Sequence, residues 1–503
     1  MNRALKRISI AVLVMFLLLL VNVNYLQAFE APSLASQPFN DRAASEANQY
    51  ERGDIVTADG AVIAGTKPTT GGDFYKYQRY YTNGPAYAPV TGYDTIYSTS
   101  GVEQSEDALL SGNGSQLAFR NFIDMITNKP QKGATVQLTI NSKAQLAAYQ
   151  GLQSTLAGKN QVGGVVALNP STGAILAMAS YPSYDPNLLA THNGPALNAN
   201  DKKLLSESPS PLINNATQTV LPPGSTFKIV TSSAWFTQNS SRNPQSMVYS
   251  PQVLTLPQTT NKLHNDANEI CGSAGVNGQT QIINAFAQSC DTTFGSLGMA
   301  LGGSTLNSMA EKFGMNNSNL NIPGVTTATS SYVIPPSLPL TAFSAIGQYS
   351  DTASPLQEAM FAAAIANNGT LMKPYLVQQA TASDLSVVQS AQQSILSQPV
   401  SPTVASDVKQ MMTAVVQQSN GTAYAFNANN EGGLVIAGKT GTAQNALNGV
   451  SANPDAVFTA FAPASNPKIA VGVMIQGGGY GASYAAPIAV SVIKAYLASV
   501  GQG

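Results

Sequence analysis

A serine three residues ahead of a lysine can act as a nucleophile beside its base when one helical turn puts both on the same face. The 503-residue chain holds four such pairs: Ser225 with Lys228, Ser406 with Lys409, Ser465 with Lys468 and Ser491 with Lys494. Their surroundings separate them. Ser225 follows Pro222-Pro223-Gly224, in which prolines stiffen the approach and glycine permits a tight turn into the helical pattern STFKIVTSSAWF. That places Ser225 in the first helical turn, where unbonded backbone N–H groups favour developing negative charge. A serine hydroxyl needs a base to take its proton, and a lysine serves once burial lowers its proton affinity. Lys228 is therefore expected within hydrogen-bond reach of Ser225. The plainer reading of an isolated match, a capping serine beside a solvated lysine, stays open at this point. The other pairs fit less well. Pro467 puts Ser465 and Lys468 in a turn, Ser491 and Lys494 read as the wet side of a terminal helix, and Ser406 with Lys409 lacks a Pro-Gly approach.

The second chemical element is Gly438-Lys439-Thr440-Gly441-Thr442, directly after the apolar run GLVIA. A glycine-flanked strand lets a substrate backbone lie against it, Lys439 supplies positive charge, and Thr440 and Thr442 can hydrogen-bond a carboxylate. Gly433 to Thr440 has the spacing of a phosphate-binding loop, but such a loop must lead into a helix, and here its positions are filled by a strand-like apolar run, so that reading is set aside. His192 and His264 are the only histidines, and no Cys/His cluster has zinc spacing, so neither a metal nor a cofactor is expected.

The charged fraction is only 10% and the formal net charge is −1, with no basic run, which argues against nucleic acid as a partner. Arg3, Lys6 and Arg7 precede the apolar run Ile8 to Val21, and milder residues continue through Phe29. Positive charge ahead of such a run keeps the amino end in the cytoplasm and sends the following chain outward. An uncleaved single-pass anchor over residues 1–29 is the expectation, with a cleaved signal peptide as the competing one. In either case the bulk of the chain is expected outside the cell membrane. In an oxidising compartment the two cysteines, Cys271 and Cys290, suggest one disulfide; two separate buried thiols remain the alternative.

Residues 30–135 read as a small, irregular, β-rich domain, with a hairpin signal at Asp59-Gly60. From 136 to 503 the pattern is α/β. ATVQLTI and GGVVALNPSTGAILAMAS read as strands and NSKAQLAAYQGLQSTLAG as a helix. The middle is largely helical, with AFAQSCDTTFGSLGMALG and PLQEAMFAAAIANNG as its clearer segments. GLVIAGKTGTAQ, AVFTAFAPAS and KIAVGVMIQGGG read as strands, and a closing helix follows. Strands at both ends of a helical middle predict one domain whose early and late segments share a mixed or antiparallel sheet, with a helical subdomain.

Ser225-x-x-Lys228, Ser289-Cys290-Asp291 and Lys439-Thr440-Gly441 resemble, in order and spacing, the three motifs of penicillin-binding transpeptidases. The resemblance runs from about residue 133 to the C-terminus. ANQYERGDIVTADGAVIA resembles the amino-terminal pedestal of class B members, and the layout is closest to the actinobacterial PbpA-like type. It implies a serine β-lactamase-like fold and a D,D-transpeptidase that cross-links peptidoglycan stem peptides through an acyl-enzyme. Ser225 would be the nucleophile, Lys228 its base and Ser289 a proton relay helped by Lys439. Asp291, Thr440, Gly441 and Thr442 would contact substrate, with the backbone N–H groups of Ser225 and Thr442 as oxyanion hole. The implied partners are a D-Ala-D-Ala donor peptide, an amine acceptor, β-lactams and other cell-wall synthesis proteins. A Cys271–Cys290 bridge would brace the middle motif. One departure stands out: the family's middle motif ends in Asn, and here Asp291 can only accept hydrogen bonds when ionised. Rival readings are a D,D-carboxypeptidase, a β-lactam-hydrolysing or sensing relative using a glutamate such as Glu207 or Glu269, and a non-catalytic scaffold.

Overall fold

The computed structural model describes residues 3–26, 30, 50–70, 74–114, 117, 126, 132–266, 270–271, 278–429, 433–447 and 450–501. Its centre is a five-stranded sheet in the order Ala437–Leu447, Val450–Ala462, Ile469–Ile475, Gly163–Leu168 and Ile175–Tyr181. Every neighbouring pair is antiparallel, and the late strand Ile469–Ile475 pairs with the early strand Gly163–Leu168. Early and late segments thus share the sheet, as their apolar patterns predict. Ile469–Ile475 is buried at every position, because helices cover both faces; that coverage explains a continuous apolar run in place of strict alternation. Helices Ser142–Leu156 and Gly481–Ser499 pack together over one side, and helix Pro355–Ala366 lies against the central strands from the other. Asn141 and Ser354 cap two of these helices by accepting from Ala144 N and Gln357 N. Burying each Val or Ile side chain in this sandwich contributes about 1.5–3 kcal/mol.

A second sheet of six strands holds the order Val387–Ser390, Val377–Thr381, Thr135–Leu138, Ile55–Val56, Val62–Pro68 and Tyr77–Tyr81. Ile55–Val56 and Val62–Pro68 form the hairpin at Asp59-Gly60. Thr135–Leu138, which spans residue 136, pairs in parallel with Ile55–Val56 and antiparallel with Val377–Thr381. This sheet therefore joins the early strands at 55–81 to strands at 135–138 and 377–390. Arg52 and Arg79 grip the buried Glu103 at 2.8 and 2.7 Å. Burial alone would raise that carboxyl, but the two guanidinium groups outweigh it and hold it low.

Helix Arg3–Tyr25 contains a 21-residue stretch, Leu5–Tyr25, of mean hydropathy 2.3 with none of it buried. It is long and apolar enough to cross a membrane. Residues 1, 2 and 27–29 of the expected anchor lie outside the described residues.

Candidate active site

Gly224–Phe227 is a single 3-10 turn that runs directly into helix Lys228–Gln238. Ser225 thus sits on a tighter turn than the α-helical one its sequence suggests. Two glycines explain how this turn reaches the edge strand Ala437–Leu447. Gly224 adopts φ 56°, and an added Cβ would stand 3.1 Å from Thr442 O. At Gly441 a Cβ would stand 2.7 Å from Pro223 O. A larger residue at either position forces turn and strand apart. The strand lies at the sheet's edge, so one row of its peptide groups has no strand partner.

Lys228 is fully buried, and its Nζ donates to Ser289 O at 2.7 Å, Ser289 Oγ at 3.2 Å and Asp291 Oδ1 at 2.7 Å. None of these bonds reaches Ser225, which corrects the expected Lys228–Ser225 hydrogen bond. An ammonium has three donors, and Ser289 and Asp291 accept all three. Burial pulls the Lys228 pKa down, and Asp291 opposes that pull without cancelling it. Lys439 is also fully buried and donates to Ser289 Oγ at 2.8 Å and Thr440 O at 2.9 Å. Burial, then repulsion from Lys228, holds its pKa well below the ordinary value, while Asp291 pulls the other way. The lysines stand 5.5 and 5.6 Å from the rings of Phe294 and Phe286, whose faces favour a nearby cation. Ser289 Oγ accepts from both lysines, which uses both its lone pairs and leaves its hydrogen free to donate.

The sequence pattern around Ser289 reads as one helix, but the structure breaks it into Ile282–Ala287 and Asp291–Leu301. The cause is Ser289 itself, at φ 62°, with Cys290 N donating back to Ala285 O. This left-handed break ends one helix, starts the next, and presents the Ser289 side chain to both lysines. Ser289→Gly is expected to be more stable than Ser289→Ala by about 1 kcal/mol, since both lose the hydroxyl but only alanine bears the φ strain. Urea midpoints of the two variants compare them directly; equal midpoints would remove the strain from this description.

Ser225, Ser289, Asp291, Thr440 and Thr442 line one cleft of about 610 Å³, together with Asn265, Gln348 and Thr422. The last three carry no signal in sequence. Asn265 Oδ1 accepts from Thr292 N at 3.0 Å and so caps the helix that begins at Asp291, where Cys290 offers no side-chain cap. Thr422 Oγ1 lies 2.7 Å from Thr440 Oγ1, and Gln348 Nε2 donates to Thr442 O at 3.2 Å. Ser406 and Ser491 are exposed on other helices and Ser465 lies in an exposed turn; none lines this cleft. Among the described residues no cluster of His, Cys, Asp and Glu could hold a metal. Glu207 is exposed away from the cleft, and Glu269 lies outside the described residues.

Cys271 and Cys290 form a disulfide across 19 residues of sequence. It ties the segment carrying Asn265 to the start of the Asp291 helix. Reducing it is expected to cost about 3 kcal/mol of stability through the freed loop. Urea unfolding with and without reductant measures that cost; two free thiols in protein from an oxidising compartment would refute the bridge.

Comparison with known proteins bears on the whole chain. The model of the penicillin binding protein transpeptidase domain matches residues 163–494, and that of the penicillin binding protein A dimerisation domain matches residues 52–136. The peptidoglycan D,D-transpeptidase PbpA of Mycolicibacterium smegmatis is 38% identical over 99% of both chains, and that of Mycobacterium tuberculosis 36% identical over the same share. Penicillin-binding protein A from M. tuberculosis, solved as a ceftriaxone acyl-enzyme, superimposes with a TM-score of 0.83 at 34% identity, covering 90% of this chain and 100% of that one. Its penicillin G acyl-enzyme gives 0.80 over 89% of this chain. Two family models that match residues 52–136 and 163–494, with relatives 36–38% identical over 99% of the chain, leave one assignment, and the chain belongs to the class B penicillin-binding transpeptidases, close to actinobacterial PbpA.

Proposed function

We propose that the protein is a serine D,D-transpeptidase that cross-links peptidoglycan stem peptides and is acylated by β-lactams. The observation that carries this reading is the meeting of Lys228 and Lys439 on Ser289 Oγ, beside the Ser225 turn and the edge strand. Ser225 Oγ attacks the carbonyl carbon of the penultimate D-alanine while its proton passes to Lys228, which must be neutral to take it. The C–N bond then breaks as Ser289 hands its proton to the departing terminal D-alanine and takes another from the Lys228 ammonium, which leaves Lys228 neutral again. Lys439, Thr440 and Thr442 hold the substrate's terminal carboxylate, whose charge offsets the burial of the lysine. The N–H groups of Ser225 and Thr442 stabilise the oxyanion. An amine of a neighbouring stem peptide attacks the ester, forms the new amide and frees Ser225. Residues 1–29 anchor the protein in the cell membrane by a single span, residues 30–135 form the pedestal, and residues 136–503 act outside the cell.

Asp291 bears on the rate through its ion pair with Lys228. Asp291→Asn removes a charge that favours the ammonium, so the pKa of Lys228 falls further and the neutral base appears at lower pH. The variant is expected to react with penicillin at least as fast as the parent, with its pH profile displaced downward. A large loss of second-order rate at every pH, in folded protein, would show that the carboxylate is required.

The reading as a whole is tested by intact-protein mass after incubation with penicillin, followed by peptide mapping. One adduct on the peptide containing Ser225 is expected. An adduct on Ser406, Ser465 or Ser491 would move the nucleophile elsewhere.

A further inference from the structure

Beneath the Ser225 turn lies an acidic side chain that the chemistry above does not use. Glu358, on helix Pro355–Ala366, is fully buried. Its Oε1 lies 2.9 Å from the hydroxyl of Thr226, the residue after Ser225, and its Oε2 has no hydrogen-bond partner. The same Thr226 Oγ1 lies 2.8 Å from Pro223 O. A hydroxyl has one hydrogen, and the Pro223 carbonyl can only accept. Both contacts are satisfied together only when Glu358 carries a proton and donates it to Thr226 Oγ1, which leaves the Thr226 hydrogen for Pro223 O. An ionised Glu358 would compete with Pro223 O for that single hydrogen.

We propose that Glu358 is a positioning residue held as the neutral acid, whose hydrogen bond through Thr226 to Pro223 fixes the turn that presents Ser225. This rests on Ser225 being the nucleophile. The surroundings agree. Burial pushes the Glu358 carboxyl up to about 8, with only the Thr226 bond opposing. From the sheet, Thr459 Oγ1 donates to the Glu358 backbone carbonyl, and Gly472 packs on its Cβ. No charged side chain pairs with Glu358 among the described residues: Lys228 is engaged with Ser289 and Asp291, and Lys439 with Ser289 and Thr440. Glu358 does not line the cleft, so it acts only through the turn.

Two measurements on the full chain test this. The parent-minus-Glu358→Gln infrared difference spectrum at neutral pH is expected to show a protonated-carboxyl band belonging to Glu358, because the buried Asp351 carboxyl, also pushed up, contributes equally to both proteins and cancels; no such difference band overturns the proposal. For penicillin acylation, Glu358→Gln keeps a donor for Thr226 and is expected within about threefold of the parent, whereas Glu358→Leu is expected to be slower by about tenfold or more. As pH rises through about 8 the parent should fall relative to Glu358→Gln, which cannot ionise. Thr226→Val breaks the same relay from its other end and replaces the leucine variant should that fail to fold. Parent-like acylation in whichever of these variants folds overturns the proposal. A parent that takes up no penicillin instead overturns the transpeptidase reading, and the infrared band still decides the state of Glu358.

Discussion

Ser225→Ala is expected to lose penicillin labelling by at least roughly 10⁴-fold, the scale set by removal of a nucleophile that no neighbour replaces. Among the cleft's other hydroxyls are Ser289, Thr440 and Thr442 of the motifs, and each of these is already committed. Ser289 Oγ accepts from two lysines, Thr440 Oγ1 pairs with Thr422, and Thr442 Oγ1 accepts from Gly481 N. The substitution removes one oxygen from a partly exposed position on a turn whose shape is set by Pro223, Gly224 and Thr226. The fold is therefore expected to stay intact, which circular dichroism and the urea midpoint check. Undiminished labelling of the variant would sink the assignment of the nucleophile.

Lys228→Ala is expected to slow acylation by about 10² or more, the scale of a lost general base. The structure adds a pH signature. Lys228 Nζ is committed to Ser289 and Asp291, so it must shed its proton and release a bond before it can serve Ser225. Burial favours that loss and Asp291 resists it. In the parent the rate should climb as pH rises through the lowered pKa of Lys228, and in Lys228→Ala that limb should vanish. Removing the lysine also leaves Asp291 and the Ser289 carbonyl without their donor, so a loss of stability accompanies the loss of rate. A single-turnover rate close to the parent's at neutral pH would mean that another group removes the proton.

Much of this site was legible in the sequence, for a physical reason. Ser225, Lys228 and the Lys439 strand are each fixed by their immediate neighbours: prolines and a glycine before one, an apolar strand before the other. What sequence missed depends on contacts between distant segments. Asn265 caps the Asp291 helix across 27 residues, and Gln348 reaches the Thr442 carbonyl across 94. Helical periodicity carried straight through Ser289, because a serine in the left-handed region has no compositional mark. The strand Thr135–Leu138 read correctly as a strand, but its alternation could not say which sheet it joins; pairing with Ile55–Val56 and Val377–Thr381 decides that. The Lys228–Ser225 bond failed as an expectation because the Ser289 carbonyl and hydroxyl and the Asp291 carboxylate, all from one distant segment, take the three donors of the ammonium.

The most direct test of the central claim supplies the purified full-length enzyme with a glycan strand bearing D-Ala-D-Ala stem peptides and reads the products by mass. The account predicts a peptide dimer with the mass of two substrates less one D-alanine, formed by the parent and absent with Ser225→Ala. Monomer that has only exchanged its terminal D-alanine for water, or substrate left unchanged by an enzyme that penicillin does acylate, would contradict it.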